Sequence, residues 1–290
     1  MRGELAGTRF ADVRWLAETG STNTDVLELA RQGEPEGVVV VADRQTAGRG
    51  RRGRTWESPP GGALMATVLL RPPAARAGLT TMALAVAAAD AVAATCGVVV
   101  RVKWPNDLVW PGDGTAPDRK VAGILAEADW PASSQPAGGW SPPGPRDRAV
   151  VAAGIGINLA WGDAVPAHLA ELAVALDEAA APAGPPDREP LLVALLRGLD
   201  ATYGRLVADA SGPAELIAAW RARSATLGRR VRVDLGADDV VGTAVDVTDE
   251  GHLVVESLDG ERRILAVGDV VHLRPEPGGQ ASAAGDSTSS

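Results

Sequence analysis

The feature that most constrains the fold is a pair of apolar segments joined by a turn in the middle of the chain. Residues 108–110 and 121–128 read as strands, and the segment Pro-Gly-Asp-Gly at 111–114 has the composition of a turn. Strands connected in this way pair as an antiparallel hairpin, so the sheet that contains them is at least partly antiparallel. This pattern disfavours a simple doubly wound fold.

Apolar periodicity predicts further elements on both sides of this hairpin. Strands are expected at 38–42, 63–70, 98–102 and 149–153. Helices are expected from the possible N-caps at 19–25 to about residue 32, and at 79–95, 168–179, 189–207 and 214–223. From 227 to 274 the pattern changes to short, Val-rich strands separated by Gly and Asp turns, which predicts a small separate β-barrel of about five strands. We therefore expect a large domain at 1–226, a barrel at 227–274 and a disordered polar tail at 275–290, with 131–148 as a surface insertion.

Composition narrows the classes of function. The net charge of −9 and a pI near 4.9 argue against a polyanion as the main partner. The single cysteine, Cys96, excludes an intramolecular disulfide and is compatible with a reducing cytosol. No signal peptide is visible at the start, and we find no apolar run long enough to span a membrane. These observations predict a soluble, cytoplasmic protein without a membrane partner.

Two lysines stand out among the 28 basic residues, because all the others are arginines. Lys103 begins the segment Lys-Trp-Pro-Asn-Asp at 103–107, and Lys120 lies in Arg-Lys-Val-Ala-Gly at 119–123. A compact ammonium on a flexible stem can do what a planar guanidinium cannot, so both lysines are candidate catalytic or binding residues. The alternative is two surface lysines retained by chance.

A Gly-Arg segment at 48–54, the Arg loop, carries four guanidinium groups in seven residues: Arg49, Arg51, Arg52 and Arg54. Its glycines allow backbone N–H groups to turn toward an anion, which suits a phosphate or an acyl phosphate. Because four like charges repel each other, we expect the loop to be mobile until it orders around a polyanionic ligand. The alternative is an arginine-glycine tract that binds RNA.

The segment at 103–107 combines groups that bind nucleotides. Lys103 supplies a point charge, Asn106 an amide, and Asp107 a carboxylate suited to Mg²⁺. Trp104 is expected in the core, whereas Trp56, just after the Arg loop, is the better candidate to stack on a base. Gly123 and the segment at 154–158 permit close backbone approach to a ligand. No zinc, hydrolase or phosphate-loop motif accompanies them.

Five motifs in one order closely resemble those of the biotin protein ligases. They are Ser-Thr-Asn at 21–23, the Gln45 and Arg-loop segment, the segment at 103–107, Lys-x-x-Gly-Ile-Leu-x-Glu at 120–127, and Gly-Ile-Gly-Ile-Asn at 154–158. The resemblance implies an α+β fold with a mixed sheet and flanking helices, related to class II aminoacyl-tRNA synthetases, followed by an SH3-like barrel. It further implies ATP-dependent activation of biotin to biotinoyl-5′-AMP and transfer of biotin to a lysine of a carrier protein.

The resemblance also implies roles for individual residues. Biotin would be bound by Ser21, Thr22, Asn23, Gln45, Gly48, Arg49, Arg51, Lys120 and Gly123, of which Arg49, Arg51 and Lys120 would be catalytic. ATP would be bound by Arg51, Arg54, Trp56, Lys103, Asn106 and Asn158, with Mg²⁺ on Asp107.

The implied partner is the biotin carboxyl carrier domain of an acetyl-CoA, propionyl-CoA or pyruvate carboxylase. Only about eighteen residues precede the first motif, so we expect no DNA-binding domain, and the protein would be a monomer or a weak homodimer. The competing interpretations are a lipoate–protein ligase and, in a different class, an RNA-binding module built on the Arg loop.

Overall fold

The computed structural model describes residues 3–112, 116–129, 147–162, 168–180, 186–236 and 238–273. Its larger sheet has seven strands: β1 (Val13–Leu16), β2 (Val39–Ala42), β3 (Ala63–Leu70), β4 (Arg101–Lys103), β5 (Asp107–Trp110), β6 (Arg119–Asp129) and β7 (Val150–Asn158). They are arranged in the order β1-β2-β3-β7-β6-β5-β4. Only β1 and β2 pair in parallel, and the predicted hairpin is β5 and β6. The sheet is therefore mixed, as predicted.

Helices cover the two faces of this sheet unequally. The helices are α1 (Thr22–Arg31), α2 (Thr80–Cys96), the short α3 (Leu176–Ala179), α4 (Arg188–Ala208) and α5 (Gly212–Arg223). Because side chains alternate along a strand, Val39 and Val41 join the main core with α2 and α4, whereas Val38 and Val40 pack beneath α1. The α1 face is left open beside α1, and this opening holds the candidate site.

Helix α2 is the central helix of the core. Its alanines allow close packing against α4, and Gly97 ends it in the left-handed conformation at φ +67°. With the preceding turn, the stretch Ala74–Cys96 is long and apolar enough to cross a membrane by length and composition alone, which corrects the expectation that no such run exists. Of its most apolar 18-residue window, 67% is buried inside the protein, as in the core helix of a globular domain.

The C-terminal part forms a second sheet with the five predicted strands. These are β8 (Arg230–Asp234), β9 (Asp239–Val247), β10 (Leu253–Glu256), β11 (Arg262–Leu265) and β12 (Asp269–His272), in the antiparallel order β11-β10-β9-β8-β12. Strands β11 and β12 are the edges, so backbone pairing does not close the sheet into a barrel. Ala225 N donates to Val102 O (2.8 Å) and Trp104 Nε1 to Gly251 O (3.1 Å), which tie the second sheet to the first.

Three sequence predictions need correction. Strand β1 was missed, and the strand predicted at 98–102 is formed only from Arg101. The helix predicted at 168–179 is wrong except for α3, because Lys120 exchanges backbone hydrogen bonds with Leu172 and Val174 and holds this segment along β6. The apolar residues of this segment recur at a spacing typical of a helix, but here they pack against the rest of the protein from a non-helical backbone. Most of the predicted insertion (130–146) and the predicted tail (275–290) lie outside the described residues.

Candidate active site

A cavity of about 580 Å³ lies between the open α1 face of the first sheet and the second sheet. Every predicted site residue except Gly48 lines it. Gly48 lies just behind the wall, where an added Cβ would be 2.7 Å from the Trp56 carbonyl oxygen and 3.5 Å from Gln45 Nε2. The structure therefore brings together the residues of all five motifs in one place.

The floor of the cavity is a row of residues that are paired across four neighbouring strands. The row runs through Gly156, Gly123, Asp107 and Lys103. Paired residues in adjacent strands point to the same face, which explains why residues so distant in sequence meet here. The two glycines leave room for the Trp56 ring, since a Cβ on Gly156 would lie 2.5 Å from it. In the structure this space holds a side chain of the protein itself, and the approach of a ligand to these glycines stays a prediction.

A buried hydrogen-bonding network forms the end of the cavity next to α1. Gln45 Oε1 accepts from Thr22 N (2.8 Å) and from Thr22 Oγ1 (3.1 Å). Thr67 Oγ1 lies 2.8 Å from Thr22 Oγ1 and 2.7 Å from Asn23 Oδ1. Thr67 was missed by the sequence analysis, although a hydroxyl within the apolar run at 63–70 was the available signal. The network holds Thr22, Asn23 and Gln45 in defined orientations.

The Arg loop is held by carboxylates from two directions. Arg49 Nη2 lies 2.8 Å from Glu127 Oε2 at the end of β6. Arg52 Nη1 lies 3.1 Å from Asp234 Oδ2 of the second sheet. The charge repulsion that was expected to make the loop mobile is thus compensated by acidic side chains. The arrangement turns the guanidinium groups toward the protein's own carboxylates, which does not favour the RNA-binding interpretation.

Asp269, at the start of β12, is the main acidic partner of the loop. Its carboxylate pairs with Arg54, and its Oδ1 lies 3.5 Å from Arg51 Nη1. Arg51 Nη1 also contacts Gly268 O and Asn106 Oδ1, each at 3.3 Å. Burial lowers the pKa of Arg51, and the charges of Asp269 and Asp107 oppose this effect. Arg51 is therefore the loop arginine that the structure buries between the two sheets.

The two lysines face the same cavity in different surroundings. Lys120 Nζ lies 2.7 Å from Asp107 Oδ1 and 5.6 Å from the centre of the Trp56 ring. Lys103 is largely buried and makes no ion pair with the part of the chain that the structure describes. Burial lowers its pKa despite the nearby carboxylates of Asp107 and Asp118. Both ammonium groups can contact an anionic ligand. Lys120 must first give up its ion pair with Asp107, whereas Lys103 has no ion pair to break among the described residues.

The two predicted asparagines connect strands and loops around the cavity. Asn106 Nδ2 donates to Ile124 O (2.6 Å), and its Oδ1 contacts Arg51. Asn158 Nδ2 lies 3.2 Å from the carbonyl oxygens of both Lys120 and Val174. Asn158 Oδ1 is buried and has no hydrogen-bond partner among the described residues. That oxygen is therefore an acceptor whose hydrogen-bonding capacity is left unused.

A second missed group joins the floor of the cavity to the second sheet. Asp118 Oδ2 lies 2.7 Å from Arg229 Nη1 and 3.2 Å from His272 Nδ1. Burial acts to raise the pKa of Asp118. The backbone N–H of Gly112 and the Arg229 guanidinium outweigh this effect and keep the pKa below its usual value. Burial, aided by Lys103 and Arg229, lowers the pKa of His272 to about 4. The imidazole is neutral at physiological pH.

No group of three or more acidic, histidine or cysteine side chains arranged as a metal site occurs among the described residues. Asp107 nevertheless presents one carboxylate to the cavity, with its buried Oδ1 in an ion pair with Lys120. Mg²⁺ is commonly held by one or two carboxylates together with waters and substrate phosphates. The donor set therefore fits a magnesium ion that arrives with a nucleotide.

The sequence and the fold are similar to those of known ligases. Residues 15–131 match the model of the biotin/lipoate A/B protein ligase family, and residues 226–273 match the biotin protein ligase C-terminal domain. The biotin--[acetyl-CoA-carboxylase] ligase of Mycobacterium tuberculosis is 36% identical over 284 residues, covering 94% of this chain and 92% of that protein. The chain belongs to the biotin/lipoate A/B protein ligase family.

Two further relatives agree with this assignment. The biotin--[acetyl-CoA-carboxylase] ligase of Paracoccus denitrificans is 34% identical, over 87% of this chain and 97% of that one. The structure of the biotin protein ligase from Aquifex aeolicus in complex with biotin and ATP matches with a TM-score of 0.70 at 25% identity, covering 92% of this chain and 100% of the other. The predicted α+β fold with a mixed sheet is thereby confirmed, and the C-terminal part is a separate antiparallel sheet.

Proposed function

We propose that this protein is an ATP-dependent biotin protein ligase, which forms biotinoyl-5′-AMP with release of pyrophosphate and then transfers biotin to a lysine of an acceptor protein. The observation that carries the proposal is one cavity that combines a polar end at α1 with a cationic wall over a glycine floor. The names of the relatives support biotin as the acid. The catalytic part is 1–226 and the accessory part 227–274.

The positions of the lining residues support a role for each of them in this reaction. Ser21, Thr22, Asn23 and Gln45 form the end suited to the ureido ring of biotin, with Gly48 behind it and Gly123 beneath the apolar part. Arg49, Arg51 and Lys120 would meet the biotin carboxylate and the α-phosphate. The nucleotide would be bound by Arg51, Arg54, Trp56, Lys103, Asn106 and Asn158.

The first step needs placement and charge neutralisation. The carboxylate of biotin attacks the α-phosphorus of ATP, and pyrophosphate leaves. Arg51, Arg49 and Lys120 offset the negative charge that develops in this transfer, and preorganised groups of this kind commonly contribute most of the rate enhancement of an enzyme. Asp107 would hold Mg²⁺, which supplies further charge neutralisation on the phosphates. Lys120 is paired with Asp107 in the structure, and its ammonium group would leave this ion pair to contact the substrate.

The second step requires no nucleophile of the enzyme. A neutral lysine amine of the acceptor attacks the acyl carbon of the mixed anhydride, and AMP leaves. The Arg loop and the second sheet cover the cavity and would shield the anhydride from water. We propose a biotin carboxyl carrier domain of an acyl-CoA carboxylase as the acceptor, in the cytoplasm. The relatives named for acetyl-CoA carboxylase support this acceptor.

Biotin-dependent exchange of labelled pyrophosphate into ATP tests the proposal, with lipoate as the control acid. We expect exchange with biotin and none with lipoate. Exchange with lipoate alone would assign the protein to the lipoate branch of the family. Absence of exchange with either acid, in protein that is folded by circular dichroism, would contradict the proposal.

A further inference from the structure

Glu127 lies between the two parts of the site, and the proposed function gives it no role. It is close to the end of β6, with a side chain that is 29% exposed. One carboxylate oxygen, Oε2, accepts from Asn23 Nδ2 at 2.8 Å and from Arg49 Nη2 at 2.8 Å. Asn23 belongs to α1 and Arg49 to the Arg loop, so Glu127 is a direct connection between them.

The amide of Asn23 is held at both of its polar atoms, and Glu127 is one of its acceptors. Its Oδ1 accepts from Thr67 Oγ1, and its Nδ2 donates to Leu125 O (3.0 Å) as well as to Glu127. Both amide hydrogens are therefore used within the protein. An added Cβ at Gly154 would lie 2.1 Å from Asn23 Oδ1, so the side chain is also confined by β7. Removing the Glu127 carboxylate would leave a buried N–H without its acceptor, which is costly.

Arg49 differs from the other three arginines of the Arg loop because its side chain is bonded on the α1 side of the cavity. Arg51, Arg52 and Arg54 pair with Asp269 or Asp234 of the second sheet. Arg49 instead bonds to Glu127 and, at 3.2 Å, to Thr24 Oγ1. Within the described residues it is thus the loop guanidinium that is paired on the α1 side. Its alignment with that end depends on Glu127.

We propose that Glu127 is a positioning residue that aligns the Arg loop with the α1 end of the cavity by holding Asn23 and Arg49 on one carboxylate oxygen. The proposal rests on the biotin and phosphate roles given above to Asn23 and Arg49. Glu127 itself touches neither substrate. An incoming carboxylate or phosphate competes with Glu127 for Arg49, so the guanidinium is presented to the substrate from a defined starting position.

Two substitutions separate the two contacts. Glu127→Gln keeps a carbonyl oxygen that can accept from Asn23 but loses the charge that holds Arg49. We expect its dissociation constant for biotin, measured by calorimetry without ATP, to rise by about threefold, because Arg49 would meet the biotin carboxylate while Asn23 keeps its acceptor. Trypsin should cut between Arg49 and Gly50 several times faster, and the KM for ATP in pyrophosphate exchange should rise about tenfold, the scale of one charge-assisted hydrogen bond.

Glu127→Ala removes both contacts, so the dissociation constant for biotin should also rise, by about tenfold or more. Glu34→Gln is the matched control, because Glu34 Oε1 pairs with Arg14 at 2.9 Å away from the site. The control should leave all three readouts at wild-type values. A purely structural role would instead lower the melting temperature and leave the two substitutions equal in their effects on biotin and ATP.

The outcomes distinguish this inference from the proposed function. The inference would be overturned, and the proposed function left intact, by one combination of results. In that combination the wild-type protein binds biotin, and Glu127→Gln changes neither the KM for ATP nor the rate of cleavage after Arg49. Wild-type protein that binds no biotin would overturn both. If Glu127→Ala fails to fold, the Glu127→Gln protein decides the question.

Discussion

Lys120 and its neighbour Arg119 show how differently two adjacent cations can be placed. Arg119 points outward to Glu178, at 2.6 Å, and lies against the Trp110 ring. Lys120 points into the cavity, where its Nζ would be 2.9 Å from a Cβ on Gly123. A branched, planar guanidinium is larger than an ammonium group, so the space above Gly123 explains why lysine is retained at this position.

Replacing Lys120 by arginine keeps the charge but should displace it from the reacting centre. We expect Lys120→Arg to lower the rate of biotinoyl-5′-AMP formation by at least about a hundredfold, as is typical for the loss of one transition-state donor. Biotin-dependent pyrophosphate exchange measures this rate. The control Arg119→Lys should retain normal exchange, and a Lys120→Arg enzyme of similar activity would show that the lysine side chain is not required.

Arg51 is the loop residue that joins both sheets, and its removal should open the cavity. Without the contacts to Asn106 and Asp269, the loop loses its buried attachment, and we expect Arg51→Gly to release biotinoyl-5′-AMP. The released anhydride would biotinylate lysines of unrelated proteins, which streptavidin blotting of a mixture with serum albumin detects. Arg44→Gly, which removes an exposed ion pair with Glu18, is the control. Labelling of albumin no greater than with this control would contradict the assigned role.

At the scale of an element, strand β7 combines two demands that only glycine meets. Ile155 and Ile157 fill the core on the α2 side, whereas Gly154 and Gly156 leave space on the opposite face for Asn23 and Trp56. The alternation of small and large residues thus builds a core and a cavity floor from the same strand. A side chain added at Gly154 would collide with the buried polar network of Asn23 and Thr67, and one added at Gly156 would collide with the Trp56 ring.

Gly154→Ala should therefore destabilise the protein as well as impair binding. The new methyl group would lie 2.1 Å from Asn23 Oδ1, so Asn23 must move, and overpacking of this kind costs about 1–3 kcal/mol. Urea unfolding monitored by circular dichroism measures the change in the free energy of unfolding. Gly78→Ala is the control, since nothing lies within 4 Å of its added Cβ. Equal stability of the two variants would show that the strand can relax around the methyl group.

At the scale of the whole molecule, the junction of the two sheets should weaken in mild acid. The pKa of His272 is about 4 in the folded protein, below the value near 6.5 of an unfolded histidine, so the unfolded chain binds the proton more readily. The stabilisation is complete above pH 6.5 and is lost as the pH falls toward 4. We expect a loss of about 2 kcal/mol in the free energy of unfolding between pH 7.5 and pH 5 from this group.

The substitution His272→Gln tests the assignment, because glutamine does not titrate. The variant should lose less free energy of unfolding than wild type between these two pH values, as measured by urea unfolding at each pH. The control His252→Gln, in the turn before β10, should show the wild-type dependence. If His272→Gln and wild type lose the same amount, burial of the neutral imidazole does not contribute to the pH dependence.

The accuracy of the sequence predictions depended on how far along the chain the relevant contacts reach. The helices that became α1, α2, α4 and α5, the hairpin of β5 and β6, and the five C-terminal strands were predicted, because periodicity and turn residues act over a few neighbours. The helix at 168–179 was wrong because its backbone hydrogen bonds go to Lys120, about fifty residues away. Local spacing cannot report such a partner.

The sequence by itself determined the residue types of the site, since the order and spacing of the five motifs named them before any contact was known. The tertiary structure alone decided how they are arranged. Strand register placed Gly123, Gly156 and Asp107 side by side, and the second sheet brought Asp269 to the Arg loop. Thr67 and Asp118, and the partners of the motif residue Glu127, emerged only there, because a buried polar group is identified by what it contacts in space.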